Sequence, residues 1–147
     1  MQVAMLIPSE ADWHSEPWWI DTPHAYEYFN KKSLAEAVAL FVDNAICYQE
    51  DIMFMPLPCF RYYVRAYIDY LLSDASKDDS DAANCFFGIV EFRRDDILTS
   101  GDELRGLILD VLRHIGAGQE WYDADRGIYG DFADRAEAAK KLIGGAG

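Results

Sequence analysis

"SLAEAVALFVDNAICYQEDI", residues 33–52, is the stretch whose reading decides the fold. Ser33 and Glu36 stand three apart at its start. The Ser33 hydroxyl can accept from the amide three residues on, and the Glu36 carboxylate can reach back to the Ser33 amide. Behind them Leu34, Val38, Phe41, Val42, Ala45 and Ile46 recur at intervals of three and four, with Glu36, Asp43 and Glu50 on the other side. That period belongs to an amphipathic α-helix and not to a strand.

The same reading extends downstream. Pro56 and Pro58 break the pattern, and Pro58 suits the first turn of a second helix, "CFRYYVRAYIDYLLSD". In it Phe60, Val64, Ile68 and Leu71 form one stripe and Tyr63, Tyr67 and Tyr70 another, with Arg61, Arg65 and Asp69 as a polar edge. The loop "SDASKDDSD" supplies a cap for a third segment, "AANCFFGIVEFRRDDIL". Its residues 83–92 have the aromatic and β-branched content of a buried strand, but they also fit a helix and have no partner strand. Helix is the expectation. Ser100 and Glu103 form a second capping-box pattern before "DELRGLILDVLRHIG", whose core face is Leu104, Leu107, Ile108, Val111, Leu112 and Ile115. A last helix, "DFADRAEAAKKLI", turns Phe132, Ala136, Ala139 and Ile143 inward. The expected fold is an all-α, single-domain bundle of about five helices over residues 33–147.

Residues 1–32 are the exception, an irregular aromatic-rich arm with "MQVAMLI" as a possible short strand. Three of the four Trp lie in "DWHSEPWWIDTPHAYEYF", residues 12–29. Trp18, Trp19, Tyr26 and Phe29 are expected to anchor this arm on the bundle, and Trp13 to stay outside for a partner.

The chain has 147 residues, 51% of them hydrophobic and 14% aromatic, which is ample for a core in one domain of ordinary size. It carries 26 acidic and 13 basic residues, a net charge of −13. Residues 1–73 hold 10 acids and 4 bases, and residues 74–147 hold 16 and 9, so the halves net −6 and −7. Such a field repels nucleic acid and anionic membrane and attracts basic partners. No basic patch is present that could neutralise several phosphates.

Other chemistries find little support. Cys47, Cys59 and Cys85 are odd in number and widely spaced, so neither a disulfide framework nor a zinc cluster is expected. Their apolar neighbours suggest buried, reduced thiols. His14, His24 and His114 do not have the spacing of metal ligands. "DADRGIYGD" begins like a calcium loop, but Ile128 stands where the loop needs glycine and Asp134 where it needs glutamate. Glu120, beside Trp121 and Tyr122, is the single local candidate for acid–base work. No cofactor is expected. The N-terminal residues lack a signal-peptide pattern and no stretch is apolar for ~20 residues, so a cytoplasmic location is expected.

What remains is a candidate partner surface. Asp74, Asp78, Asp79 and Asp81 share one loop, and Asp95 and Asp96 sit at a helix end. Tyr63, Tyr67 and Tyr70 form either a recognition stripe or a half-buried flank. The leading expectation is a non-catalytic acidic protein that neutralises a basic protein partner, most simply as a toxin-immunity protein. Two others stand beside it: a phage-type mimic of nucleic acid that blocks a DNA- or RNA-binding protein, and a small enzyme with its site under the Trp-rich arm.

Overall fold

The computed structural model describes residues 5–144, and every regular element among them is helical. The all-α class is therefore as expected, but the helices outnumber the five read from periodicity. Within the segment expected to be an arm, α1 (Glu10–Trp13) and α2 (Thr22–Phe29) are short helices. Two local signals explain them. Ser9 and Asp12 exchange hydrogen bonds at 2.9 and 3.2 Å across the first turn of α1. Pro23 lies in the first turn of α2, where its missing N–H is no loss, so it starts a helix rather than interrupting one. Residues 5–9 carry no regular structure, and residues 1–4 of the possible strand lie outside the described residues.

Helix α3 (Leu34–Met53) opens on the Ser33–Glu36 capping box, with bonds of 3.0 and 3.2 Å. It is broken once, at Asn44, whose backbone is extended and whose Oδ1 accepts the Cys47 N–H at 3.2 Å. The buried stripe runs along Ala37, Phe41 and Ala45, while Val42 and Ile46 are exposed. The sequence pattern gave weight to the larger side chains; the face that goes inside is lined by alanine. Helix α4 (Leu57–Leu72) has Pro58 in its first turn and buries most of its circumference. Of its polar edge Asp69 is exposed, with Arg61 and Arg65 half-buried.

The chain divides into two compact units, with the boundary inside α4 between Tyr67 and Ile68. In the first unit the core is aromatic. The Trp13 ring is wholly buried, edge-on to Tyr26 at 5.5 Å and 6.2 Å from Tyr63. Phe29 meets Phe41 at 5.8 Å and Tyr63 at 5.2 Å, and Phe41 meets Tyr67 at 4.9 Å. The Tyr63 hydroxyl donates to the carbonyls of Phe29 at 2.7 Å and Lys32 at 2.8 Å, which pins the end of α2. The expected order of the tryptophans is thus reversed. Trp13 faces in, Trp18 is half-buried with its indole N–H on the Trp13 carbonyl at 2.6 Å, and Trp19 is 46% exposed.

In the second unit the expected third helix is divided. A 3-10 turn over Asp74–Ser76 precedes α5 (Ser80–Phe92), and α6 (Arg94–Leu98) follows after a break at the buried Arg93, whose Nε lies 2.8 Å from Asp96. The stretch weighed between helix and strand is thus helix. Next come α7 (Asp102–Gly116), α8 (Arg126–Tyr129) and α9 (Phe132–Leu142). The expected Ser100 cap of α7 is absent. Gly101, at φ +90°, takes the cap position, and the Ser100 hydroxyl donates instead to the Asp96 carbonyl. The core face of α7 is nearly as read, with Leu107 half-buried.

Helix α9 packs on α7 and α5. The α7–α9 approach is set at Gly116, where an added Cβ would lie 2.9 Å from the Ala136 Cβ. Gly116→Val is therefore expected to destabilise by about 1–3 kcal/mol through overpacking, read as a lowered urea midpoint. An unchanged midpoint would show that the two helices part freely.

Candidate functional site

In the second unit two acidic turns are clasped together. The Asp78 N–H donates to the Trp121 carbonyl at 2.9 Å, and the buried Tyr122 hydroxyl donates to the Leu71 carbonyl at 2.6 Å. Burial pushes the Tyr122 phenol up to about 12, so it remains a donor at any physiological pH. The buried Gln119 amide holds the second turn from below. It donates to the carbonyls of Ala124 at 2.7 Å and Gly130 at 3.1 Å and accepts the Phe132 N–H at 2.7 Å. The link after α7 is thus a built turn, tied to the start of α9.

The two turns so joined carry exposed Asp74 and Asp78 on one and Glu120, Asp123 and Asp125 on the other, and Trp121, 37% exposed, lies in the second. The Lys77 ammonium lies 5.9 Å from the indole centroid. Glu120, Asp123 and Asp125 also line a hollow of about 400 Å³ with Arg126. Asp125 caps α8 through the Gly127 N–H at 2.8 Å. Asp74, Asp78, Glu120 and Asp123 have no side-chain hydrogen bond or ion pair among the described residues. Asp78 and Asp123 sit at φ +66° and +53°, a left-handed backbone that Asp tolerates better than most residues.

The sequence-predicted site residues divide accordingly. Asp74 and Asp78 belong to this face. Asp79 instead caps α5 through the Ala82 N–H and accepts the Tyr70 hydroxyl at 2.6 Å, and Asp81 accepts the Tyr129 hydroxyl at 2.6 Å. Asp96 is engaged with Arg93, and the exposed Asp95 lies 3.9 Å from Arg94. Tyr63, Tyr67 and Tyr70 are buried, so neither a recognition stripe nor a half-buried flank describes them, and Trp13 is buried as well. Aromatic rings at helical spacing went inside because the hydroxyls of Tyr63 and Tyr70 found acceptors there. The residues missed were Glu120, Trp121 and Asp123 as partners of the loop at 74–78. Their acidity was visible, but the Asp78–Trp121 bond that unites them spans two turns with no shared pattern.

Comparison with protein-family models, curated proteins and solved structures finds no match to this chain.

The first unit carries a different feature. A hollow of about 350 Å³ is lined by Asp21, His24, Cys47, Glu50, Asp51 and Phe54, among others. His24 Nδ1 lies 2.8 and 2.9 Å from the two oxygens of Asp51. His14 is not part of it; that ring stacks on Trp18 at 4.8 Å and lies 3.6 Å from Glu10. Cys47 is exposed, contrary to the expectation of a buried thiol, and Cys85 is half-buried; Cys59 is buried. The exposure follows from the core stripe on α3 lying along Ala37, Phe41 and Ala45. Among the described residues no three His, Cys, Asp or Glu side chains are grouped to hold a metal ion, and no helix is long and apolar enough to cross a membrane.

Asp51 is 4% exposed, and its burial raises the carboxyl to about 6 although the His24 contact opposes the rise. In the unfolded chain the value is about 3.9. The folded state therefore holds this proton more tightly, and the group favours folding most at low pH. Its contribution should fall as pH rises from about 4 to about 6 and stay level above. Urea midpoints measured across that window should decline in the native chain and decline less in Asp51→Asn. Identical slopes would remove the assignment.

Proposed function

We propose that the chain is a non-catalytic binding protein that captures a basic protein partner on the acidic face around Trp121. The observation that carries this reading is the pairing of an exposed Trp121 with four carboxylates that make no ion pair among the described residues. Interfaces draw their affinity from a few large side chains, Trp above all, with surrounding charge selecting the partner and raising the association rate. Four carboxylates on two clasped turns offer that charge on a fixed frame. The net charge of −13 adds a long-range attraction of the same sign. In its specific form the reading is a toxin-immunity protein acting in the cytoplasm, its partner a basic toxin such as a nuclease.

The test is capture from cells that make the protein, at about 0.1 M and about 0.5 M salt. Screening shortens from about 10 Å to about 4 Å over that range, so a partner held through rim charge should be retained at low salt and depleted at high. Capture of no basic protein at low salt would contradict the proposal.

One observation favours a second reading. The small enzyme with its site under the Trp-rich N-terminal arm calls for a deep pocket joining His14, His24 or Glu120 to a second titratable group, and it is the pairing of His24 with Asp51 at a hollow that supports it.

A further inference from the structure

The hollow in the first unit brings a thiol, an imidazole and a buried carboxylate together, and the acidic face does not use them. Cys47 and Asp51 stand four residues apart on the part of α3 that follows the Asn44 break. That spacing puts them on one side of the helix, with Cβ atoms about 5–6 Å apart. His24, from α2, lays Nδ1 against both Asp51 oxygens. The Asp51 side chain is 6% exposed and His24 45%, so the acid is inside and the ring borders solvent. With Nδ1 engaged, Nε2 is the nitrogen left to exchange a proton, and it has no hydrogen-bond partner among the described residues. The ring is further held by Tyr28 at 4.6 Å and Tyr48 at 6.4 Å. Cys47 is fixed at its backbone by the Asn44 side chain and lines the same hollow.

A carboxylate that orients an imidazole, and an imidazole that takes a proton from a thiol, is the arrangement by which a side-chain base activates a nucleophile; here the imidazole is bonded to the carboxylate and the thiol lines the same hollow. The charged groups around it set the reagent. Asp21, Glu50 and Asp51 line the hollow with no Lys or Arg. A cationic reagent is drawn in and an anionic one is repelled.

We propose that Cys47 is a nucleophilic thiol served by His24, itself positioned by Asp51, and that it exchanges with small disulfides bearing a positively charged amine. Cys47 gives its proton to His24 Nε2 while its sulfur attacks one sulfur of the disulfide. The S–S bond of the reagent breaks, and the departing thiolate takes the proton from His24. Cys47 is then oxidised to a mixed disulfide, and half of the reagent is reduced to a free thiol. The site is a covalent modification site and does not depend on the partner-binding reading.

The test uses the whole chain with cystamine, a cationic disulfide, and oxidised glutathione, an anionic one, locating each adduct by peptide mass spectrometry. Cystamine should label Cys47 at least about tenfold faster than it labels Cys85, and faster than oxidised glutathione labels Cys47, with the second preference shrinking at about 0.5 M salt. His24→Gln should slow Cys47 by at least about tenfold and leave Cys85 unchanged. In His24→Gly, added imidazole should restore part of the Cys47 rate, which a purely structural role for the ring would not allow. Circular dichroism establishes that each variant is folded. Equal Cys47 rates in the native chain and His24→Gln would overturn the site, and equal rates for the two reagents would overturn the selection by charge.

Discussion

Trp13→Ala is expected to lower the stability of the chain by about 3–5 kcal/mol, the range for removing a buried tryptophan. The indole is fully enclosed, with Tyr26 edge-on at 5.5 Å and Tyr63 at 6.2 Å, so alanine leaves a space that its neighbours fill only in part. The Trp18 N–H bond to the Trp13 carbonyl is made to backbone and survives the change. Trp13→Phe should cost distinctly less, because the Trp13 Nε1–H is buried with no acceptor and phenylalanine removes that donor along with part of the ring. Urea unfolding of the three proteins measures both differences. A loss below about 0.5 kcal/mol for alanine, the scale of a surface change, would mean that the ring is outside.

Trp121→Ala combined with Asp74→Lys and Glu120→Lys is expected to weaken binding of the basic partner by at least about 100-fold. A central Trp is worth about 2–4 kcal/mol when truncated, roughly 30- to 1,000-fold in Kd, and the two reversals place like charges against the partner. All three residues are exposed, so the variant should unfold at nearly the native urea concentration. Asp78 and Asp123 are left alone because their positive φ angles would add backbone strain to any lysine placed there. Binding within about threefold of native would exclude this face as the interface.

The contrast between these two tryptophans marks how far the sequence could be read. Elements announced by a cap and a strong apolar period were legible, as the Ser33–Glu36 box of α3 and the Leu104–Ile115 face of α7 illustrate. Short helices were not. α1 and α2 contain too few residues for a period to emerge, and Pro23, which sits where α2 begins, marks a start that no apolar repeat confirms. The inward face of α3 was read in part: Phe41 and Ala45 are buried as expected, whereas Val42 and Ile46 are exposed and Ala37, too small to stand out in a hydrophobic pattern, is buried. Trp13 was expected to stay outside for a partner, whereas its burial is decided by Tyr26 and Tyr63, thirteen and fifty residues away.

The candidate site was legible in charge but not in place. Asp74 and Asp78 were correctly set among exposed loop acids, but Asp79, Asp81 and Asp96 are equally acidic and serve as acceptors inside the second unit. Sequence gives a carboxylate's charge and withholds its partner. The same holds for His24 and Asp51, which are 27 residues apart and whose pairing depends on how α2 lies on α3.

The central claim, that the face around Trp121 is where a basic partner sits, is tested most directly by a hydrogen-exchange footprint of the captured complex. Slowed exchange should concentrate in residues 73–81 and 118–126, and it should vanish with the partner in the Trp121→Ala, Asp74→Lys, Glu120→Lys variant. Protection confined to any other part of the chain, or a captured partner that is not basic, would contradict the account.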